Sequence, residues 1–106
     1  MSLFEPIFAA LSGVHARYVI VGGLATVLQG FARLTADVDL FVESPIPFDE
    51  LWARADVFGL ATTRVRVAAI PDLIRMKRLA GRPQDAIDIE ALERIARRRA
   101  ERDAAE

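Results

Sequence analysis

The sequence predicts a small α/β domain, a mixed three- or four-stranded sheet with flanking helices, and three observations predict it. Apolar segments of helical period alternate with segments of strand period, the pair Gly22-Gly23 closes a short β-branched run, and a later strand pattern carries acids at alternate positions. A length of 106 residues with 53% hydrophobic content supplies one core and one domain, spanning 1–106. A domain of this size is only marginally stable alone, so pairing into a homodimer is an expectation.

Each element has a local reason. Ser2 with Glu5 three residues on forms a capping box, and Leu3, Ile7, Phe8, Leu11 and Val14 recur at helical spacing up to a stop near Gly13. Tyr18-Val19-Ile20-Val21 reads as a strand bounded by Gly22-Gly23, and Leu24 to Leu28 as a short helix ended by Gly30. From Thr35 to Glu43, Val38, Leu40 and Val42 share one face while Asp37, Asp39 and Glu43 share the other, the pattern of a half-buried strand. After the breaker Ser44-Pro45-Ile46-Pro47, Phe48 to Ala55 is predicted helical. Thr62 to Ala69 returns to strand, with Val65 and Val67 inward and Arg64 and Arg66 outward. Pro71 sits in the first turn of a helix that stops at Gly81. Pro83 opens a last amphipathic helix with Ile87, Ala91, Leu92 and Ile95 on one stripe, running into a charged helical tail of the last eight or so residues.

Composition excludes several classes. No cysteine is present, so neither disulfides nor thiolate metal sites are available. The start of the chain lacks a basic leader region, and the longest uncharged apolar run, Tyr18 to Leu28, falls far short of the roughly 20 residues a membrane span needs. These features predict a cytoplasmic protein with no membrane partner. A net charge of −1 provides no global field for polyanions, so any such contact has to be local. His15, the one histidine, has no acidic or nucleophilic neighbour and reads as structural.

The chemistry concentrates in two places. Glycines at a strand-to-helix corner let the backbone approach a phosphate, and the following helix start adds partial positive charge, so Gly22 and Gly23 are candidate phosphate-binding residues. Asp37 and Asp39 sit two apart on a strand, about 6 to 7 Å between Cα atoms and on one face, where their oxygens can converge on one divalent cation such as Mg2+ or Mn2+. A plain tight turn explains the glycines equally well, and an exposed edge strand explains the acids.

Val21-Gly22-Gly23 followed by Asp37-Val38-Asp39 resembles the signature of the DNA polymerase β-like nucleotidyltransferase superfamily. The block from Asp72 to Asp88 is similar to the lysine, arginine and aspartate motifs of its AbiEii-type branch, the toxins of type IV toxin–antitoxin systems, and Arg33 and Thr35 match residues that lead into the aspartates there. The two blocks span about Tyr18 to Leu92. The resemblance implies a small nucleotidyltransferase-like domain in which Asp37 and Asp39 hold the metal and, with Lys77, do the catalytic work. It also implies that Gly22, Gly23, Lys77, Arg82 and Asp85 bind the nucleotide. The reaction implied is Mg2+-dependent transfer of an NMP from an NTP to a hydroxyl of tRNA or a protein, in a toxin–antitoxin or phage-defence setting that includes an antitoxin partner.

Other readings of the same residues stand beside these. Lys77 between Arg75 and Arg78 suits a solvated helix face, Asp85 and Asp88 suit favourable charges in a first helical turn, and Arg97-Arg98-Arg99 suits a solvated face. The third carboxylate of a two-metal site has no counterpart on the Thr62–Ala69 strand, which offers Arg64 and Arg66; of Glu43, Asp49 and Asp56, Glu43 lies roughly 13 Å along the strand from Asp39, too far for a shared ion. A catalytically inactive relative that binds a nucleotide, or serves as a protein-interaction scaffold, is therefore the competing expectation.

Overall fold

In the computed structural model, which describes residues 5–13, 17–31, 45–59 and 63–105, the chain forms α1 (Glu5–Gly13), α2 (Gly22–Gln29), α3 (Phe48–Arg54), β1 (Asp56–Gly59), β2 (Arg64–Val67), α4 (Ile70–Ala80) and α5 (Pro83–Ala105). The fold is mixed α/β. β1 and β2 form a two-stranded antiparallel sheet in the register Asp56↔Val67, Val57↔Arg66, Phe58↔Val65 and Gly59↔Arg64. On the other edge of β2, Ile20 makes a parallel bridge to Val67: its N–H donates to the Arg66 carbonyl at 2.9 Å, and its own carbonyl accepts from the Ala68 N–H at 2.9 Å.

The sheet among the described residues is thus smaller than the three or four strands expected. The Tyr18–Val21 strand shrinks to the single bridge at Ile20, because the chain turns into α2 immediately after Val21. The strand expected from Thr35 to Glu43, with Asp37 and Asp39, lies outside the described residues, as do Ser2, Val14 and His15. β1 was not expected at all: its four residues alternate half-buried and exposed with Gly59 at the end, too short and too polar for a strand signal.

The helix stops follow the predicted chemistry. Gly30 closes α2 at φ 127° and Gly81 closes α4 in the left-handed region at φ 64°, its N–H donating to the Lys77 carbonyl at 3.0 Å. Pro71 occupies the first turn of α4. α2 starts two residues earlier than expected, so the glycines belong to its first turn.

The core joins Ile20, Leu24 and Ala25 to Val65 and Val67 of the sheet and to Leu73 and Leu92 of α4 and α5. One expectation about α5 is corrected. Ile87 does not face inward but is 54% exposed, while Asp88, Ala91 and Leu92 are buried. The inward stripe runs Asp88, Leu92, Ile95 and Arg99, and Ile87 lies about 100° around the helix from Asp88. Two polar groups displace it: Asp88 turns toward Lys77, and Arg99 Nη2 donates to the Gln29 carbonyl at 2.9 Å. Gln29 Nε2 in turn donates to Asp56 Oδ2 and the Ala68 carbonyl at 2.9 and 3.0 Å, so α2, β1, the end of β2 and α5 meet at one buried amide.

Leu92→Ala is expected to cost about 2 to 5 kcal/mol, and Ile87→Ala under about 0.5 kcal/mol. Urea unfolding followed by circular dichroism checks both; equal losses would return Ile87 to the core.

Candidate functional site

The corner between the Ile20 bridge and α2 needs glycine at position 22. Gly22 has φ 74°, in the left-handed region where a Cβ is strained, while Val21 before it is extended at φ −130°. Val21 at the N-cap offers no side-chain hydrogen bond to the start of α2, and the first turn holds no acid. The first-turn N–H groups have no intrahelical partners, so this end of the helix carries partial positive charge that its own first turn does not offset.

The second wall comes from the α4–α5 hairpin. The tight turn at Gly81 places Lys77, one turn from the end of α4, opposite the first turns of α5, whose acids Asp85 and Asp88 are three apart and share a face. Lys77 Nζ donates to Asp88 Oδ2 at 2.8 Å and lies 3.8 Å from Asp85 Oδ1. All three residues are buried. Asp88 Oδ1 accepts from Gln84 Nε2 at 3.0 Å, so both of its oxygens are engaged. Arg82 grips Asp85 bidentately, Nε to Oδ2 at 2.8 Å and Nη2 to Oδ1 at 3.1 Å, and its backbone N–H donates to the same Oδ2 at 3.0 Å. The Arg82 guanidinium holds the Asp85 carboxyl below its ordinary range, with burial pulling the other way.

Between the two walls lies a cavity of about 310 Å³ lined by Val21, Gly22 and Gly23 on one side, by Lys77, Arg82 and Asp85 on the other, and by apolar groups that include Leu73, Met76 and Leu79. The volume is at the lower end of the range of small-molecule sites, roughly 300 to 1,000 Å³. Gly22, Gly23, Lys77, Arg82 and Asp85, singled out from separate parts of the sequence, therefore share one cavity. Asp37, Asp39, Arg33 and Thr35 lie outside the described residues.

The sequence did not reveal two features. Asp88 is the main counter-ion of Lys77, a role legible only once the Gly81 turn folds α5 back on α4. The apolar wall of Leu73, Met76 and Leu79 looks like an ordinary helix stripe until the cavity beside it is seen. Of the acids considered as substitutes for a third metal ligand, Glu43 lies outside the described residues and the other two are placed elsewhere. Asp56 accepts from Gln29, and Asp49 is exposed, 3.9 Å from Arg17; neither lines the cavity. Among the described residues no three acids or histidines gather as a metal site. Asp85 spends both oxygens on Arg82, so the described cavity walls offer a divalent cation no carboxylate without a partner.

Removing Lys77 takes the 2.8 Å ammonium contact from buried Asp88 and leaves Asp85 to Arg82. Lys77→Met is expected to cost about 3 to 5 kcal/mol, and adding Asp88→Leu to recover more than half of it in urea melts. For Asp85 the folded pKa lies below the unfolded value, so its contribution is present above about pH 4 and is lost as pH falls through the lowered folded value. Arg82→Gln removes the largest cause and should flatten the loss of stability as pH falls below about 4; an unchanged acid limb would show that Arg82 does not set it. Compared with known proteins, the chain matches no family model, no curated protein and no solved structure.

Proposed function

We propose that this chain is a nucleotide-binding domain of nucleotidyltransferase type, acting on an NTP in the cavity between the Gly22-Gly23 corner and the α4–α5 hairpin. The observation that carries the reading is the meeting of Gly22 and Gly23 with Lys77, Arg82 and Asp85 around one space. The open start of α2 supports a phosphate position at the corner, because backbone N–H groups and the helix dipole both favour an anion there. The Arg82 side chain, 72% exposed and held in place by Asp85, supports a second anion contact at the opposite wall. Leu73, Met76 and Leu79 supply an apolar surface on which the flat part of a nucleotide can lie.

In the transfer, the acceptor hydroxyl oxygen bonds to the α-phosphorus, the α–β phosphoanhydride breaks, pyrophosphate leaves and the hydroxyl proton passes to solvent. A divalent ion held by Asp37 and Asp39 would supply charge neutralisation for the leaving group. Lys77 lines the cavity, but its ammonium is committed to Asp88 and lies near Asp85. Its work is to hold the wall that presents Arg82. The acceptor on this reading is a tRNA or protein hydroxyl, the setting a cytoplasmic toxin–antitoxin or defence system. A second reading, nucleotide binding without transfer, is favoured by the same commitment of Lys77, which leaves Arg82 as the exposed cation on the described walls.

Titration calorimetry with each NTP, with and without Mg2+, on wild type and on Asp37→Ala/Asp39→Ala tests the proposal. Metal-dependent binding by wild type, abolished in the double variant and weakened about tenfold by Arg82→Gln, is the expected result. Absence of metal-dependent binding by wild type overturns both readings. With binding in hand, incorporation of label from α-labelled NTP into RNA or protein separates transfer from binding alone.

A further inference from the structure

The outer face of the β1–β2 hairpin is a second candidate surface, independent of the cavity. Arg64 and Arg66 share the face of β2 opposite the buried Val65 and Val67. The cross-strand partner of Arg66 is Val57, 51% exposed. From α3, Trp52 and Phe48 pack ring to ring at 5.8 Å beside this face, with Phe48 39% exposed. The Arg66 guanidinium carbon lies 4.0 Å from the centre of the Trp52 ring, and that of Arg17 lies 4.7 Å from the same ring and 5.4 Å from Phe48.

Two guanidiniums over one indole are closer to each other than a Debye length, about 10 Å at 0.1 M salt, so they repel, and the ring's quadrupole is what gathers them. Among the described residues the carboxylate beside them is Asp49, 3.9 Å from Arg17 with its side chain 92% exposed. Among the described residues, Arg64 and Arg66 have no acidic partner. In a chain of net charge −1 this is a local concentration of cation around exposed aromatic surface.

We propose that this face binds single-stranded nucleic acid, with phosphates on Arg17, Arg64 and Arg66 and bases stacked on Phe48 and on the guanidinium planes around Trp52. Arginines alone would take any polyanion; arginines interleaved with Phe48 and Trp52 favour a strand whose unpaired bases expose π faces. The face also borders the cavity along the chain. Arg17 and Val21 are four Cα-to-Cα steps apart along the backbone, which place their Cα atoms no more than about 14 Å apart, and Val21 lines the cavity.

Trp52 is the only tryptophan, so its fluorescence reports on this face directly. The probe is a single-stranded RNA of about 12 nucleotides, followed by Trp52 quenching and by the anisotropy of a label on the probe; DNA of the same sequence, the matching duplex and polyglutamate serve as comparisons. Saturable quenching is expected, with Arg64→Gln and Arg66→Gln each weakening binding by about 3- to 10-fold and lowering the salt slope by about one. Arg64 has no partner to lose among the described residues, so that variant keeps the fold, which a thermal melt checks. Arg97→Gln/Arg98→Gln on α5 should bind as wild type. Equal quenching by polyglutamate, stronger binding of the duplex, loss of binding only in the α5 variant, or no binding at about 50 mM salt would each overturn the assignment. None of these outcomes bears on NTP binding in the cavity.

Discussion

The buried contact of Lys77 with Asp88 and Asp85 is the constraint on which the site depends. Taking an ammonium and two carboxylates out of water costs several kcal/mol per ion, and only close geometry with every remaining lone pair satisfied offsets it. Here the 2.8 Å contact to Asp88, the Gln84 amide on its other oxygen and the bidentate Arg82 on Asp85 meet that condition together. Any rotation of α5 about its axis, or slide along α4, strands a buried charge. An apolar seam between the two helices tolerates such shifts far better, so the ion cluster fixes the register that sets Arg82 at the cavity wall.

The far end of the described part of α5 is held by the same kind of chemistry. Arg99 donates to the Gln29 carbonyl at the C-terminus of α2, where a cation is favoured by the helix dipole, and the Gln29 amide ties α2 to Asp56 and Ala68. Ala91 and Leu92 fill the space between with fully apolar burial. Among the described residues α5 is thus positioned by polar contacts at Asp88 and Arg99, with the exposed Arg78–Glu93 pair at 3.3 Å and the apolar contacts between them. The Gly22 corner and the hairpin wall, which belong to elements far apart in sequence, hold a fixed separation for this reason.

Much of the fold could be read from residues that permit few alternatives. Gly30 and Gly81 ended their helices where glycine takes positive φ, Pro71 marked a first turn, and the Arg64–Val67 alternation was a strand because only one of its faces can be buried. What the sequence concealed depended on distant partners. β1 exists because β2 is there to pair with it, not because Asp56-Val57-Phe58-Gly59 favours a strand. Ile87 looked inward because apolar side chains normally are, yet the ion cluster claimed the inward direction for Asp88. Lys77 was legible as a residue of the site, but its burial against two acids was not, since nothing local distinguishes it from a solvated lysine between two arginines. Asp85 and Asp88 were read as first-turn charges, which is true of Asp85 and omits what each of them holds.

The charge on the cavity's hairpin wall has a further consequence. Lys77 and Arg82 carry two positive charges and Asp85 and Asp88 two negative ones, so this wall is formally neutral even though basic side chains line it. Attraction for a polyphosphate by the described walls then comes from the first-turn N–H groups of α2, which have no intrahelical partners, and from the exposed part of Arg82. Those are hydrogen-bond donors that orient an anion, with little net charge to balance one. A triphosphate carries several negative charges, and gathering them against a neutral wall in a partly apolar cavity is unfavourable without a counter-ion. On the proposed reading, therefore, the cation that accompanies the nucleotide sets whether it binds at all. Asp37 and Asp39 would act first as the acids that recruit that cation, and any role in catalysis follows from that recruitment.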